Sequence, residues 1–201
     1  MKNIIKYDCP HCKQELDVEV YPVINLQSDT ELYEDLFTLE LFKVECPHCK
    51  KQILIQYDLF VVDMYKKYLI YLCTSQNITQ INTEQLYNSL STLPEFNKTL
   101  SELKHTRIVS NLNELLEKLL IFDYDLNDKV IEIIKLSLID NQKVNVDLYN
   151  NILFDKIEKE YILFTCLNTH KSNIQPINVS VDIKYYNLCI DKLRWITYRN
   201  Q

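Results

Sequence analysis

The 201-residue chain contains no glycine and no alanine, and arginine occurs only at 107, 194 and 199. Each shortage excludes something. Phosphate-cradling loops and dinucleotide-binding turns are built on closely spaced glycines, so neither is possible here. Every turn that needs a positive φ must use another residue, with Asn and Asp the expected substitutes. Apolar stretches of 18 or more residues are also lacking, so no membrane span is expected. The first eight residues hold no apolar run of the kind a secretory leader needs, so a cytoplasmic chain is expected. Basic surface is scarce as well. The formal net charge is −6, with 8 Lys against 12 acidic groups in residues 1–75 and 14 basic against 16 acidic groups in the remainder. Non-specific affinity for nucleic acid rests on displacing counterions with Lys and Arg, so a nucleic-acid partner is not expected.

What is present suits a globular protein, with 47% apolar and 25% charged residues. Asn, Ile, Lys and Tyr are abundant; their AT-rich codons mark this as a genomic bias. Alternation of Leu16, Val18 and Val20 with acidic residues reads as a half-buried strand over residues 14–21. Ser28, followed by Glu31, looks like a capping box for a short helix over 29–38. Strands are expected at 41–45, 52–62 and 68–72, with a turn at 64–67. The polar segment 74–82 marks a boundary. Helices follow from an Asn82 cap, with Pro94 as a kink and a further helical piece over 95–104. A short strand is expected at 107–109. Asn111 caps a helix whose solvated face carries Glu114, Glu117 and Lys118, and another helix, apolar on most faces, spans 128–140. Residues 152–157 and 161–167 read as a hairpin, and 183–196 as a helix. The fold class is α+β, in three parts: an antiparallel β unit with a short inserted helix (1–75), a helical region (76–142) and a small C-terminal α/β part (143–201).

One constellation carries chemistry. Cys9-Pro10-His11-Cys12 and Cys46-Pro47-His48-Cys49 are two copies of one tetrapeptide, separated by 33 residues. Two such knuckles supply four thiolates, the set that closes a tetrahedral shell around one structural Zn²⁺. In a reducing cytosol, paired cysteines of this spacing read as a metal site before disulfides. Knuckles of this type need positive φ just after the second cysteine, where Lys13 and Lys50 stand, at a cost of roughly 1–2 kcal/mol each. His11 and His48 are alternative ligands, but four sulfurs suffice and the imidazoles are expected at exposed tips. Iron is the rival metal.

Other candidates are weaker. Cys73, Cys166 and Cys189 sit in apolar surroundings and read as inert buried thiols. Asp123, Asp125 and Asn127 have the spacing of a calcium loop. However, Asp128 stands where glycine is needed and Ile134 where a bidentate Glu is needed, so a helix cap explains them better. His105 and Arg107 read as surface. No catalytic set emerges.

The segments 8–12, 16–20, 25–32 and 41–49, with 68–71, 107–118 and 126–136, resemble the bacterial CpXC family over roughly residues 4–137. The resemblance implies a zinc-ribbon-like β unit followed by helices, and it brings no assigned activity and no catalytic residue. The expected function is therefore non-enzymatic: a zinc-stabilised interaction or adaptor protein with protein partners. Two alternatives stand beside it. One is a nucleic-acid-binding zinc ribbon. The other is a thiol-based redox or zinc-release sensor in which oxidation joins Cys9 to Cys12 and Cys46 to Cys49.

Overall fold

The structure, a computed structural model, describes residues 2–74, 81–92, 100–171 and 173–199. Most of the polar boundary segment, the kink at Pro94 and the start of the helical piece after it lie outside the described residues. Helices and strands are mixed throughout, as an α+β chain requires. The chain divides into two compact units, residues 1–115 and 116–201.

The first unit contains two hairpins and one mixed sheet. Strands β1 (Asn3–Asp8) and β2 (Glu15–Val20) pair antiparallel, and so do β4 (Lys43–Glu45) and β5 (Gln52–Leu54). The alternation read over 14–21 appears as β2, with Leu16, Val18 and Val20 buried and the acidic residues between them exposed. The mixed sheet has the order β3 (Val23–Asn25), β6 (Leu59–Asp63), β7 (Tyr68–Leu72), β8 (His105–Val109). Its outer pairings, β3 with β6 and β7 with β8, are parallel. β7 reads Tyr-Leu-Ile-Tyr-Leu without a polar residue, and all five side chains are buried. An uninterrupted apolar strand belongs where both faces are covered. Helix α2 (Thr83–Ser91) contributes Leu86 and Leu90 to this core, Leu90 with Val62 and Leu69, and Leu86 with Tyr71 and Cys73. Its start has the expected form, with the Asn82 side chain accepting from the Glu84 N–H.

Two local expectations change. The β stretch over 52–62 is broken, because β5 serves the second hairpin and β6 the mixed sheet. The Ser28–Glu31 capping box does not form. Asp29 turns its carboxylate back to accept the Asn25 N–H at 2.8 Å, and the helix opens as a 3₁₀ turn, Thr30–Leu32, before α1 (Tyr33–Phe37). Short Asx-type bonds compete with caps in this way.

In the second unit, strands β9 (Asn151–Glu158), β10 (Tyr161–Leu167) and β11 (Ile177–Asp182) form an antiparallel sheet in the order β11-β10-β9. Helices α4 (Asp128–Asp140) and α5 (Ile183–Arg199) share one core with it. Val130, Ile131 and Ile134 from α4, Ile152, Phe154, Ile162 and Phe164 from the sheet, and Tyr186 and Cys189 from α5 all meet there. Asn127 caps α4 by accepting from Lys129 N–H. The division between the units falls within α3 (Leu112–Asp123). Asn111 caps that helix at the Glu114 N–H.

The lack of glycine leaves its mark on the backbone. Positive φ falls on Lys13, Leu39, Lys50, Lys67, Asp125, Gln142 and Lys159. Lysine is the main substitute, and Asn takes none of these positions among the described residues. Lys159 is the first of two loop residues between the paired Glu158 and Tyr161, with φ 56°. It is exposed, so its replacement removes no packing. Lys159→Gly should relieve the left-handed strain and stabilise by about 1 kcal/mol after the entropy cost of glycine. Thermal unfolding should show a Tm increase of about 2–4 °C; a decrease would mean that the lysine is not strained.

Candidate metal centre

Each knuckle is the turn of a hairpin. Residues 9–14 connect β1 to β2, and residues 46–51 connect β4 to β5. The two turns repeat one hydrogen-bond pattern. Lys13 N–H donates to Cys9 O at 2.9 Å and Cys9 N–H to Gln14 O at 3.0 Å. Lys50 N–H donates to Cys46 O at 2.9 Å and Cys46 N–H to Lys51 O at 2.9 Å. Lys13 and Lys50 adopt φ of 60° and 59°, the left-handed geometry expected there without glycine.

The turns bring four sulfurs together. All four Sγ atoms lie within 4.8 Å of one another. Cys9 and Cys49 are 3.8 Å apart and Cys12 and Cys46 3.7 Å. A tetrahedron with metal–sulfur bonds of about 2.3 Å has edges of about 3.8 Å, so the donor set fits a tetrahedral thiolate ion. Disulfide sulfurs would lie at about 2.0 Å, and all four cysteines are free thiols. Among the described residues this is the one cluster of Cys, His, Asp or Glu fit to hold a metal ion.

The cluster has an inside and an outside. Cys9 and Cys46 are fully buried, whereas Cys12 and Cys49 are half-buried. Backbone N–H groups point at the sulfurs, as this spacing requires. The Cys12 N–H, helped by that of His11, holds the Cys9 thiol down to about 6. The Gln14 N–H works in the same direction on Cys12. Burial and the neighbouring sulfurs of Cys9, Cys46 and Cys49 nevertheless push it up to about 12. Sulfurs so close cannot all ionise unaided, and a divalent cation is what reconciles four thiolates in one place. His11 and His48 are exposed at the knuckle tips.

A family model described as CpXC protein matches residues 7–135. The chain belongs to the CpXC family. No curated protein and no solved structure matches it. The CpXC match begins two residues before Cys9 and includes all four cysteines. It ends inside α4, so β9, β10, β11 and α5, which complete the core of the second unit, lie beyond it.

The remaining candidates are placed by the structure as follows. Cys73, Cys166 and Cys189 are buried, and burial raises the Cys166 thiol. Asn127 is a helix cap and Asp125 a positive-φ turn residue, the reading preferred over a calcium loop. His105 and Arg107 are half-buried on β8 rather than exposed, and the Arg107 guanidinium donates to Thr106 O at 2.7 Å. The expected solvated face of α3 requires correction: Glu117 is 4% exposed, and the Lys118 side chain 13%. Glu117 accepts Lys135 Nζ at 2.8 Å and the Phe154 N–H at 2.6 Å. Lys118 reaches Glu132 at 2.7 Å. The available signal was Lys135, a lone cation within the apolar run of α4, since buried lysines are almost always paired.

Proposed function

We propose that Cys9, Cys12, Cys46 and Cys49 hold one zinc ion as a closed tetrathiolate, and that this ion is structural. The observation that carries the reading is the pair of cross-knuckle sulfur distances, 3.7 and 3.8 Å, at the tetrahedral edge length. The ion staples two hairpins that lie in separate two-stranded sheets. Two-stranded hairpins are marginal alone in water, so such a staple supplies the missing stability. Four sulfurs leave no coordination position for water or substrate, which separates this centre from catalytic zinc sites. Elemental analysis of purified protein should give one zinc per chain. A red, iron-containing protein would overturn the choice of metal, and a metal-free one would overturn the site.

On this reading the protein is a non-enzymatic interaction or adaptor module of the cytoplasm, built as a zinc-ribbon-like unit. The metal fixes the two exposed Pro-His tips, 10–11 and 47–48, side by side as one surface for a protein partner. Acidic overall charge supports a protein over a nucleic acid. Among the described residues no helix is long and apolar enough to cross a membrane. Pull-down from native lysate should recover a partner that is lost when His11 and His48 are both replaced by Ser while zinc content is kept. Recovery of the bait alone, or a salt-sensitive gel shift with nucleic acid, would count against it.

A further inference from the structure

The two halves of the cluster are not equivalent, and their pairing has a chemical consequence. Cys12 and Cys49 are half-buried, so an oxidant in solvent meets them first. Each of them faces a fully buried sulfur of the other knuckle, Cys12 facing Cys46 at 3.7 Å and Cys49 facing Cys9 at 3.8 Å. A thiolate that reacts with peroxide needs a second thiol nearby to resolve the sulfenic acid. Here the exposed and resolving members of each pair come from different hairpins.

We infer that hydrogen peroxide converts the metal-held cluster into two cross-hairpin disulfides, Cys12–Cys46 and Cys49–Cys9, with release of the ion. This rests on the reading of the four sulfurs as metal ligands. The Cys12 thiolate attacks the peroxide O–O bond, forming a sulfenic acid and expelling hydroxide. The Cys46 thiolate then attacks that sulfur, forming the S–S bond and expelling a second hydroxide. Cys49 and Cys9 react in the same way. Four thiolates lose four electrons, two peroxides gain them, and four protons from solvent convert the hydroxides to water. The zinc, left without anionic ligands, passes to solvent unchanged in oxidation state. The bonds that form span 34 and 40 residues, so the hairpins remain tied together after the ion has gone. Disulfides within each knuckle, the pairing expected from spacing alone, would let them separate. The cluster is on this account a staple with two interchangeable clasps, one metallic and one covalent.

The test uses full-length protein whose zinc content has first been established by elemental analysis. Hydrogen peroxide is added stepwise with a metallochromic indicator present. Products are then mapped by mass spectrometry of peptides prepared without reduction. Release should be complete near two peroxides per zinc. The maps should show Cys12–Cys46 and Cys9–Cys49, and thiol reductant with added zinc should restore the starting state. Disulfides Cys9–Cys12 and Cys46–Cys49 would overturn the cross-hairpin pairing. Zinc retained under a hundredfold excess of peroxide, or sulfonic acids in place of disulfides, would overturn the redox response. Protein isolated without metal would instead remove the site reading on which the inference stands.

Discussion

On the proposed reading of the four sulfurs, stripping the ion with a strong chelator should unfold the two hairpins and lower the stability of the first unit by on the order of 10 kcal/mol. That is comparable to the whole net stability of a typical domain, about 5–15 kcal/mol. The reasoning is structural. β4 and β5 are each three residues long, and they pair only with each other. β1 and β2 are longer but also form a two-stranded sheet. Among the described residues neither hairpin has a third strand to share the cost of ordering its backbone. Without a cation the four sulfurs, all within 4.8 Å of one another, can no longer all stay ionised, so the interaction that draws the two turns together is lost. Hydrogen exchange is the sharpest readout. Amides of β1, β2, β4 and β5 should lose protection on chelation, as should those donated by Cys9 and Cys46 in the turns. The buried Cys46 replaced by Ser should reproduce the loss, because serine is a poor zinc ligand. Unchanged protection after elemental analysis has confirmed metal removal would show that the hairpins stand without it.

The four-cysteine cluster was legible because its signal is local. A C-x-x-C knuckle is a self-contained turn, and its second copy announces the tetrahedral set. The same locality made Lys13 and Lys50 predictable as left-handed residues, since the turn dictates φ whatever side chain occupies it. β7 and the β9–β10 hairpin were legible for a related reason: apolar runs and short turns are properties of neighbouring residues. Pairing between distant segments leaves no such trace. β3 is three residues long and lies parallel to β6, 37 positions away at Val23 and Phe60, and nothing in residues 23–25 signals a strand. β11 is a different case: Ile177, Val179 and Val181 alternate strictly with Asn178, Ser180 and Asp182, so its strand signal was present in the sequence and was missed. The capping box at Ser28 failed because the Ser28 hydroxyl turns back to donate to Asn25 O, while the Asp29 carboxylate accepts the Asn25 N–H. Glu117 was misplaced for the most physical reason. Helical periodicity marks which face of α3 is polar, but not whether α4 and β9 bring partners to that face.

Those partners make Glu117 the most consequential charged side chain outside the metal centre. Its carboxylate holds the Lys135 ammonium and also accepts the N–H of Phe154 on the edge strand β9. Glu117→Ala should destabilise the second unit by about 2–4 kcal/mol, because it leaves the buried Phe154 N–H without its acceptor and the Lys135 ammonium with only the more exposed Glu132, at 3.2 Å. Glu117→Gln should cost less, since the amide oxygen can still accept from Phe154. The two variants separate packing from charge, and pH separates them further. Burial raises the Glu117 carboxyl above the ordinary glutamate range, and the Lys135 charge only partly offsets this. A raised carboxyl binds its proton more tightly in the folded state. Its stabilising contribution is therefore complete below the ordinary glutamate range and is lost as pH rises through the raised value. Glu132 runs the other way. Burial alone would raise it, but the ammoniums of Lys135 and Lys118 outweigh that and hold it low, so its contribution is lost in acid. Glu132 titrates in both proteins, and comparing wild type with Glu117→Gln isolates the first effect. The stability advantage of wild type, read from urea midpoints, should be largest in acid and shrink toward neutral pH. An advantage that grows with pH would mean that Lys135 outweighs burial, and that the pair is a net source of stability at neutral pH rather than a cost accepted for fixing β9 against α3.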